Sequence, residues 1–176
     1  MRAHSNVYPV SVLLLLAFLS QAASANVESR WGAQERYTRQ AHLRYLLLLP
    51  PHYDPHRQYE LWLSLHGNPG CAEQGIYFYF PEAQQRQVFL LAPQGTGDAA
   101  ESYHRPDGSH GVYRFLDMKQ DQAHILAILD EIAENYPIDQ QRIALLGFSA
   151  GCEMGWLLCL ILARRRSKRP IRASIR

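Results

Sequence analysis

The chain has 176 residues, 47% of them hydrophobic and 19% charged, a balance that excludes a disordered or fibrous chain and fits one globular domain. Its net charge of +2 is the sum of two unlike parts. Seven of the 18 basic residues lie between Arg164 and Arg176 with no acid among them, so the body before them carries 11 bases against 16 acids. That run has neither aromatic interleaving nor amphipathic spacing, which makes it a solvated, disordered tail over 164–176 rather than a nucleic-acid or membrane-surface patch.

At the N-terminus, Arg2 and His4 precede the apolar run Val10 to Leu19, and Ala23-Ser24-Ala25 follows it. This three-part pattern predicts a secretory signal peptide over 1–25, cut after Ala25, and hence an extracellular or periplasmic product. The run falls well short of the roughly 20 apolar residues that span a bilayer, so no stable membrane anchor is expected. Cys71, Cys152 and Cys159 follow the cut, and an odd number in an exported chain leaves at least one thiol free or paired between molecules. Cys71 and Cys152 follow two loops of interest and could be bridged. The three show no metal-ligand spacing.

The domain then occupies 26–163. A polar stretch runs to about Gln40. Leu43 to Leu49, closed by Pro50-Pro51, predicts a strand and turn, and Tyr59 to His66 a second, buried strand. Ala72 to Arg86 is ambiguous: the aromatics Tyr77 to Phe80 look strand-like, Pro81 opens a polar helical turn, and a helix is expected over the second half only. Val88 to Ala92 predicts a third strand. Gly95 to Phe115 is a long polar loop, and loops of that length in compact domains often carry function. A helix is expected from Asp117, with Gln120 at the capping-box position. Its apolar face is Ala123, Ile125, Leu126, Leu129, Ile132 and Ala133. The turn Ile138 to Gln141 leads to a short strand, Ile143 to Leu146. Cys152 to Ala163 then reads as a helix apolar nearly all round, which belongs inside a larger fold. Strands alternating with helices predict an α/β fold with a mostly parallel sheet and helices on both faces.

Between the last strand and the last helix stands Gly147-Phe148-Ser149-Ala150-Gly151. A serine hydroxyl is a weak nucleophile, which must be exposed, given a base and provided with donors for the oxyanion it creates. A Gly-x-Ser-x-Gly turn between strand and helix supplies the exposure, the glycines leaving room for close backbone packing. The pattern alone is common; its strand-turn-helix context makes it a nucleophile elbow. A second signal is Leu65-His66-Gly67-Asn68-Pro69-Gly70, a strand end running into a His-Gly loop. In such an architecture the amide after the nucleophile and one from that loop form the oxyanion hole. Ala150 and Asn68 are the candidates, Pro69 having no N–H. His66 reads as a structural histidine ordering the loop.

Together with Leu90 to Gly95, Tyr136 to Asp139 and Arg142 to Gly151, the His-Gly loop resembles the N-terminal part of an α/β-hydrolase, the match running from about Leu43 to Leu162. It is most similar to secreted serine esterases of the polyhydroxybutyrate depolymerase and feruloyl esterase kind, with the phospholipase/carboxylesterase group a near relative. The resemblance implies an ester-cleaving serine enzyme acting through an acyl-enzyme on Ser149, with an ester-containing small molecule or polymer as substrate, no cofactor and no nucleic-acid partner. A prolyl-oligopeptidase-like peptidase uses the same elbow. It also implies two further strands and a catalytic acid and histidine after the elbow. This sequence offers Glu153, no histidine, and then the basic run. A truncated or frame-shifted hydrolase is therefore the expectation, either active or retained as an inactive binding module. His104 and His110, in the long loop, are the remaining candidates for a base.

Overall fold

The computed structural model describes residues 31–40, 43–98, 113–115 and 118–167. In chain order its elements are β1 (Gln34–Tyr37), β2 (Arg44–Leu48), β3 (Tyr59–Leu65), α1 (Ala72–Arg86), β4 (Phe89–Pro93), β5 (Gly97–Asp98), β6 (Tyr113–Arg114), α2 (Met118–Asn135), β7 (Ile138–Gly147) and α3 (Ala150–Ser167). Five strands form one sheet in the order β1-β2-β4-β3-β7. β5 and β6 pair separately and antiparallel at the base of the long polar loop, whose middle, with His104 and His110, lies outside the described residues. So do the predicted signal peptide, Asp117 and the tail beyond Ser167.

The sheet is mixed. β4, β3 and β7 run parallel, while β1 pairs antiparallel with β2 and β2 antiparallel with β4. The β1–β2 link is too short for a crossover, so these strands must run in opposite directions. Thr38 closes the link: its N–H donates to the Leu43 carbonyl at 3.0 Å and its Oγ1 accepts from the Leu43 N–H at 3.0 Å. The central strands are buried on both faces, and their period-two alternation splits the core in two. Tyr45, Leu47, Leu61, Leu63, Leu65, Phe89 and Leu91 meet α2 and α3 on one face. Leu46, Leu48, Trp62, Leu90 and Ala92 meet α1 on the other.

Several elements depart from the sequence expectation. β1 sits in the stretch read only as polar; a four-residue edge strand, Gln-Glu-Arg-Tyr, carries almost no apolar signal. α1 is helical throughout rather than in its second half. Its buried residues Ala72, Gly75, Ile76 and Ala83 follow helical spacing, while Tyr77 and Phe78, which suggested a strand, face solvent. Gly75 is required there, since a Cβ would stand 2.9 Å from that of Ala92. On α2, Ile128 joins Ile125, Leu129 and Ile132 in the core, and Ala123 is exposed. The expected turn at Ile138 to Gln141 is instead an irregularity within β7, where the pairing steps from Tyr59↔Ile138 to Leu61↔Ile143. The Asp139 carboxylate accepts the Gln141 N–H inside it at 3.0 Å.

α3 continues into the basic run, through Ser167, and Arg165 pairs with Asp130 of α2 at 2.7 Å. Only one side of this helix is covered. Met154 and Leu158 are fully buried, whereas Trp156 is 75% exposed and Leu160 64% exposed. Cys71 is buried and Cys152 and Cys159 are exposed, and the three form no disulfide, so the Cys71–Cys152 bridge is not present.

Candidate active site

β7 ends at Gly147, α3 begins at Ala150, and the turn between them carries Ser149 in the left-handed conformation at φ 52°. A residue with a Cβ adopts that conformation at a cost of about 1–2 kcal/mol, so the surroundings must hold it there. They do so through the backbone. Phe148 N–H donates to the Leu65 carbonyl at 3.2 Å, Gly151 N–H to the Phe148 carbonyl at 2.9 Å, and Cys152 N–H to the Ser149 carbonyl at 2.8 Å. Both elbow glycines are sterically required. A Cβ on Gly147 would stand 2.7 Å from the Gly151 carbonyl, and one on Gly151 would stand 2.2 Å from the Leu65 oxygen. The turn is pressed against the end of β3, and its serine is exposed.

The loop leaving β3 is built to meet it. A Cβ on Gly67 would stand 2.9 Å from the Phe148 ring. A Cβ on Gly70 would stand 2.5 Å from the Gly67 oxygen, and the Asn68–Pro69 peptide between them is cis. The structure thus brings the His-Gly loop, carrying Asn68, against the elbow carrying Ser149 and Ala150. Asn68 has a second engagement: its Oδ1 accepts the Phe115 N–H at 2.9 Å and its Nδ2 donates to the Phe115 carbonyl at 3.4 Å.

His66 is buried beneath this loop with both ring nitrogens occupied. Nδ1 lies 2.7 Å from the Gly67 carbonyl, which can only accept, so Nδ1 carries the proton; Nε2 accepts the Gly95 N–H at 2.9 Å. The ring stacks on Phe115 with centroids 4.4 Å apart. Burial pushes its pKa below the ordinary value, and the bond to the Gly67 carbonyl only partly opposes this, so the ring is neutral near pH 7. Such a histidine orders backbone and has no free nitrogen with which to serve as the base for Ser149.

Behind it lies a polar network that the sequence analysis did not single out. The Arg44 guanidinium bonds Glu35 at 3.1 Å, Glu73 in the first turn of α1, and the Gln94 side-chain oxygen at 3.1 Å. The same oxygen accepts the Ala72 N–H at 3.1 Å, capping α1 in place of the Cys71 side chain. The Gln94 side-chain nitrogen faces His66 Nε2 at 3.3 Å. Burial opposes the charge on Glu73, but the Arg44 guanidinium outweighs it and holds the carboxyl below its usual value. Thr96, next along, gives its N–H and hydroxyl to the buried Asp121 carboxylate at 2.9 and 2.8 Å. The available signal was positional: Gln94 directly follows a buried strand, and Arg44 opens one.

All these groups gather at one end of the sheet because β3, β4 and β7 are parallel. The adjacent strands β3 and β7 send their outgoing helices to opposite faces, α1 to one and α3 to the other. Where outgoing helices diverge in this way, the strand ends are the place where open α/β sheets bind ligands. Among the described residues no cluster of His, Cys, Asp or Glu could hold a metal ion, and no helix is long and apolar enough to cross a membrane.

A mixed sheet whose strand order turns back at β3, with helices on both faces and a strained serine turn after β7, is part of the α/β-hydrolase fold. Known structures of that fold agree. A bacterial heroin esterase is similar with a TM-score of 0.54 at 18% identity, over 92% of this chain and 48% of its own. A carboxylesterase from Mesorhizobium loti gives 0.50 at 18% identity, over 72% and 58%. Among curated proteins, the prolyl endopeptidase FAP of Mus musculus is 26% identical over 125 residues, which is 68% of this chain and 15% of that protein. No family model matches. The chain spans about half the length of these esterases and a small part of the endopeptidase.

Proposed function

We propose that the chain is a serine hydrolase of the carboxylic-ester type, exported after cleavage near Ala25. In this reading Ser149 attacks the ester carbonyl, the amides of Asn68 and Ala150 hold the oxyanion, and water releases the acyl group. The observation that supports it most directly is the left-handed Ser149 on a strand-to-helix turn, packed against the His-Gly loop. The start of α3 adds its amide dipole where negative charge would develop. The esterases among the similar structures favour ester over amide substrates.

Two other readings each have an observation behind them. The likeness to a prolyl endopeptidase favours a peptidase using the same elbow. The commitment of both His66 nitrogens, which keeps this histidine from serving Ser149 as its base, favours an inactive binding module. A fluorophosphonate probe separates these. Covalent labelling of the protein and none of Ser149→Ala supports the nucleophile, and hydrolysis of p-nitrophenyl acyl esters but not of prolyl amides then selects the esterase. A folded protein that takes no label would overturn the hydrolase reading.

A further inference from the structure

The side chain of Gln94 is placed to do two different things. Its oxygen takes the Arg44 Nη1–H and the Ala72 N–H, both at 3.1 Å, and is saturated by them. This fixes the amide plane and leaves only the nitrogen to point at His66. Its backbone is held as well, the Gln94 N–H donating to the Arg44 carbonyl at 3.0 Å. At His66 Nε2 two donors therefore converge, the Gly95 N–H at 2.9 Å and the Gln94 amide at 3.3 Å. Two donors aimed at one nitrogen exclude a proton from it, so the ring hydrogen is confined to Nδ1. From there it bonds the Gly67 carbonyl, one peptide before Asn68.

We propose that Gln94 is a positioning residue: with Arg44 as its anchor, it holds His66 in the Nδ1–H tautomer, and through His66 it aims the Gly67–Asn68 peptide at the elbow. Arg44 takes part because β2 runs antiparallel to β4, which sets the first residue of β2 beside the last of β4, Tyr45 opposite Pro93. The Glu35 and Glu73 carboxylates hold the guanidinium in place. The oxyanion loop is thus tied to a buried ion cluster by way of a single side-chain amide. The catalytic consequence rests on the serine-hydrolase reading; the control of the tautomer does not.

Imidazole nitrogen NMR, with the His66 signals assigned by His66→Gln, tests the tautomer directly, and the rate of fluorophosphonate labelling tests its consequence. Gln94→Glu is the informative variant. It keeps an acceptor for Arg44 and Ala72, so the start of α1 stays capped, but it presents an acceptor to Nε2 where a donor stood. The expected result is a proton at Nε2 and labelling of Ser149 slowed about tenfold to a hundredfold, the size of effect that a misaligned site produces. Gln94→Met, which offers neither donor nor acceptor, leaves the Gly95 N–H as the donor to Nε2 and should weaken the preference for the Nδ1–H tautomer without reversing it. Ile132→Val, on the buried face of α2, supplies a destabilised protein in which His66 should keep its wild-type signals. An Nδ1–H signal unchanged in folded Gln94→Glu, or labelling slowed with that signal unchanged, would overturn the proposal. A wild type that takes no label refutes the hydrolase reading alone, because the nitrogen spectrum still decides what Gln94 does.

Discussion

Gly151 and Gly155 lie one helical turn apart on α3, and the same substitution should have opposite effects at the two. At Gly151 an added Cβ would stand 2.2 Å from the Leu65 oxygen and 2.7 Å from that of His66. Carbon and carbonyl oxygen approach no closer than about 3.3 Å even in favourable contacts. Neither oxygen can readily turn aside, since Leu65 ends β3 and buried His66 follows it, so the helix start must withdraw by about 1 Å. That breaks the 3.2 Å bond from Phe148 N–H to the Leu65 carbonyl, a loss of about 1 kcal/mol. Residual overpacking adds about 1–3 kcal/mol, and alanine's better helix propensity returns a fraction of a kcal/mol. Gly151→Ala should therefore lose about 2–3 kcal/mol. At Gly155 the nearest atom to a new Cβ is Leu65 Cδ1 at 3.9 Å, an ordinary contact, so Gly155→Ala should gain about 0.4–1 kcal/mol from a stiffer unfolded chain. Urea unfolding of the two variants checks this, with Tm moving by about 2–4 °C per kcal/mol. Equal behaviour of the two, or a Gly151→Ala protein melting within a degree of wild type, would refute the packing of elbow against strand on which the site depends.

Other consequences can be measured on the same protein. Ser149→Gly relieves a left-handed residue and should stabilise by about 0.5–1 kcal/mol while abolishing probe labelling, as urea unfolding and mass spectrometry would record. Arg44→Met leaves Glu35 and Glu73 without their shared cation and should cost about 3 kcal/mol in the same unfolding assay. Because the folded protein holds His66 neutral below its ordinary pKa of 6.5, only the unfolded chain takes up that proton first as pH falls. Stability should therefore be full above about pH 6.5 and decline below it, by at most about 1.4 kcal/mol per pH unit for this one group, down to the folded pKa. His66→Gln should flatten that part of the pH–stability curve. Replacing Trp156 and Leu160 by Ser and Lys should change stability by less than about 0.5 kcal/mol, since both are largely exposed. Sedimentation should then show less self-association than in the wild type.

What the sequence disclosed followed from where its signals are local. β2, β3 and β4 are continuous apolar runs because both faces of each are buried, and the elbow is a five-residue pattern whose glycines answer contacts that the structure displays. Signals that depend on tertiary partners were illegible. β1 is polar because it lies at the edge of the sheet. The Tyr77–Phe78 pair resembled a strand because solvent-facing aromatics on α1 carry the wrong periodicity, and only the placement of Ala72, Ile76 and Ala83 under the sheet resolves it. The reading of His66 as the residue that orders its loop agrees with its two bonds. The partners that make those bonds possible, Arg44 and Gln94, lie 22 residues before it and 28 after it in the chain. No local pattern announces a contact between them.

The directions of the strands explain why chemistry and rigidity meet at the same end of this sheet. Parallel β3, β4 and β7 deliver His66-Gly67, Gln94-Gly95 and Gly147-Ser149 to one rim. A fully parallel sheet would bring only strand ends there, and strand ends run into loops. β2 is reversed and brings its first residue to that rim instead, so Arg44 projects from a strand that is hydrogen-bonded on both sides, to β1 and to β4. The cation that organises the network thus stands on a strand paired on both sides, while the groups of the proposed site stand on loops at the same rim. On the opposite flank β7 has no further strand beside it among the described residues, and the elbow it carries packs on its β3 side against Leu65, His66 and Gly67. Changes that press on that side, such as a Cβ at Gly151, should therefore disturb Ser149 more than changes of equal size further along α3, and the contrast between Gly151 and Gly155 is the smallest test of that asymmetry.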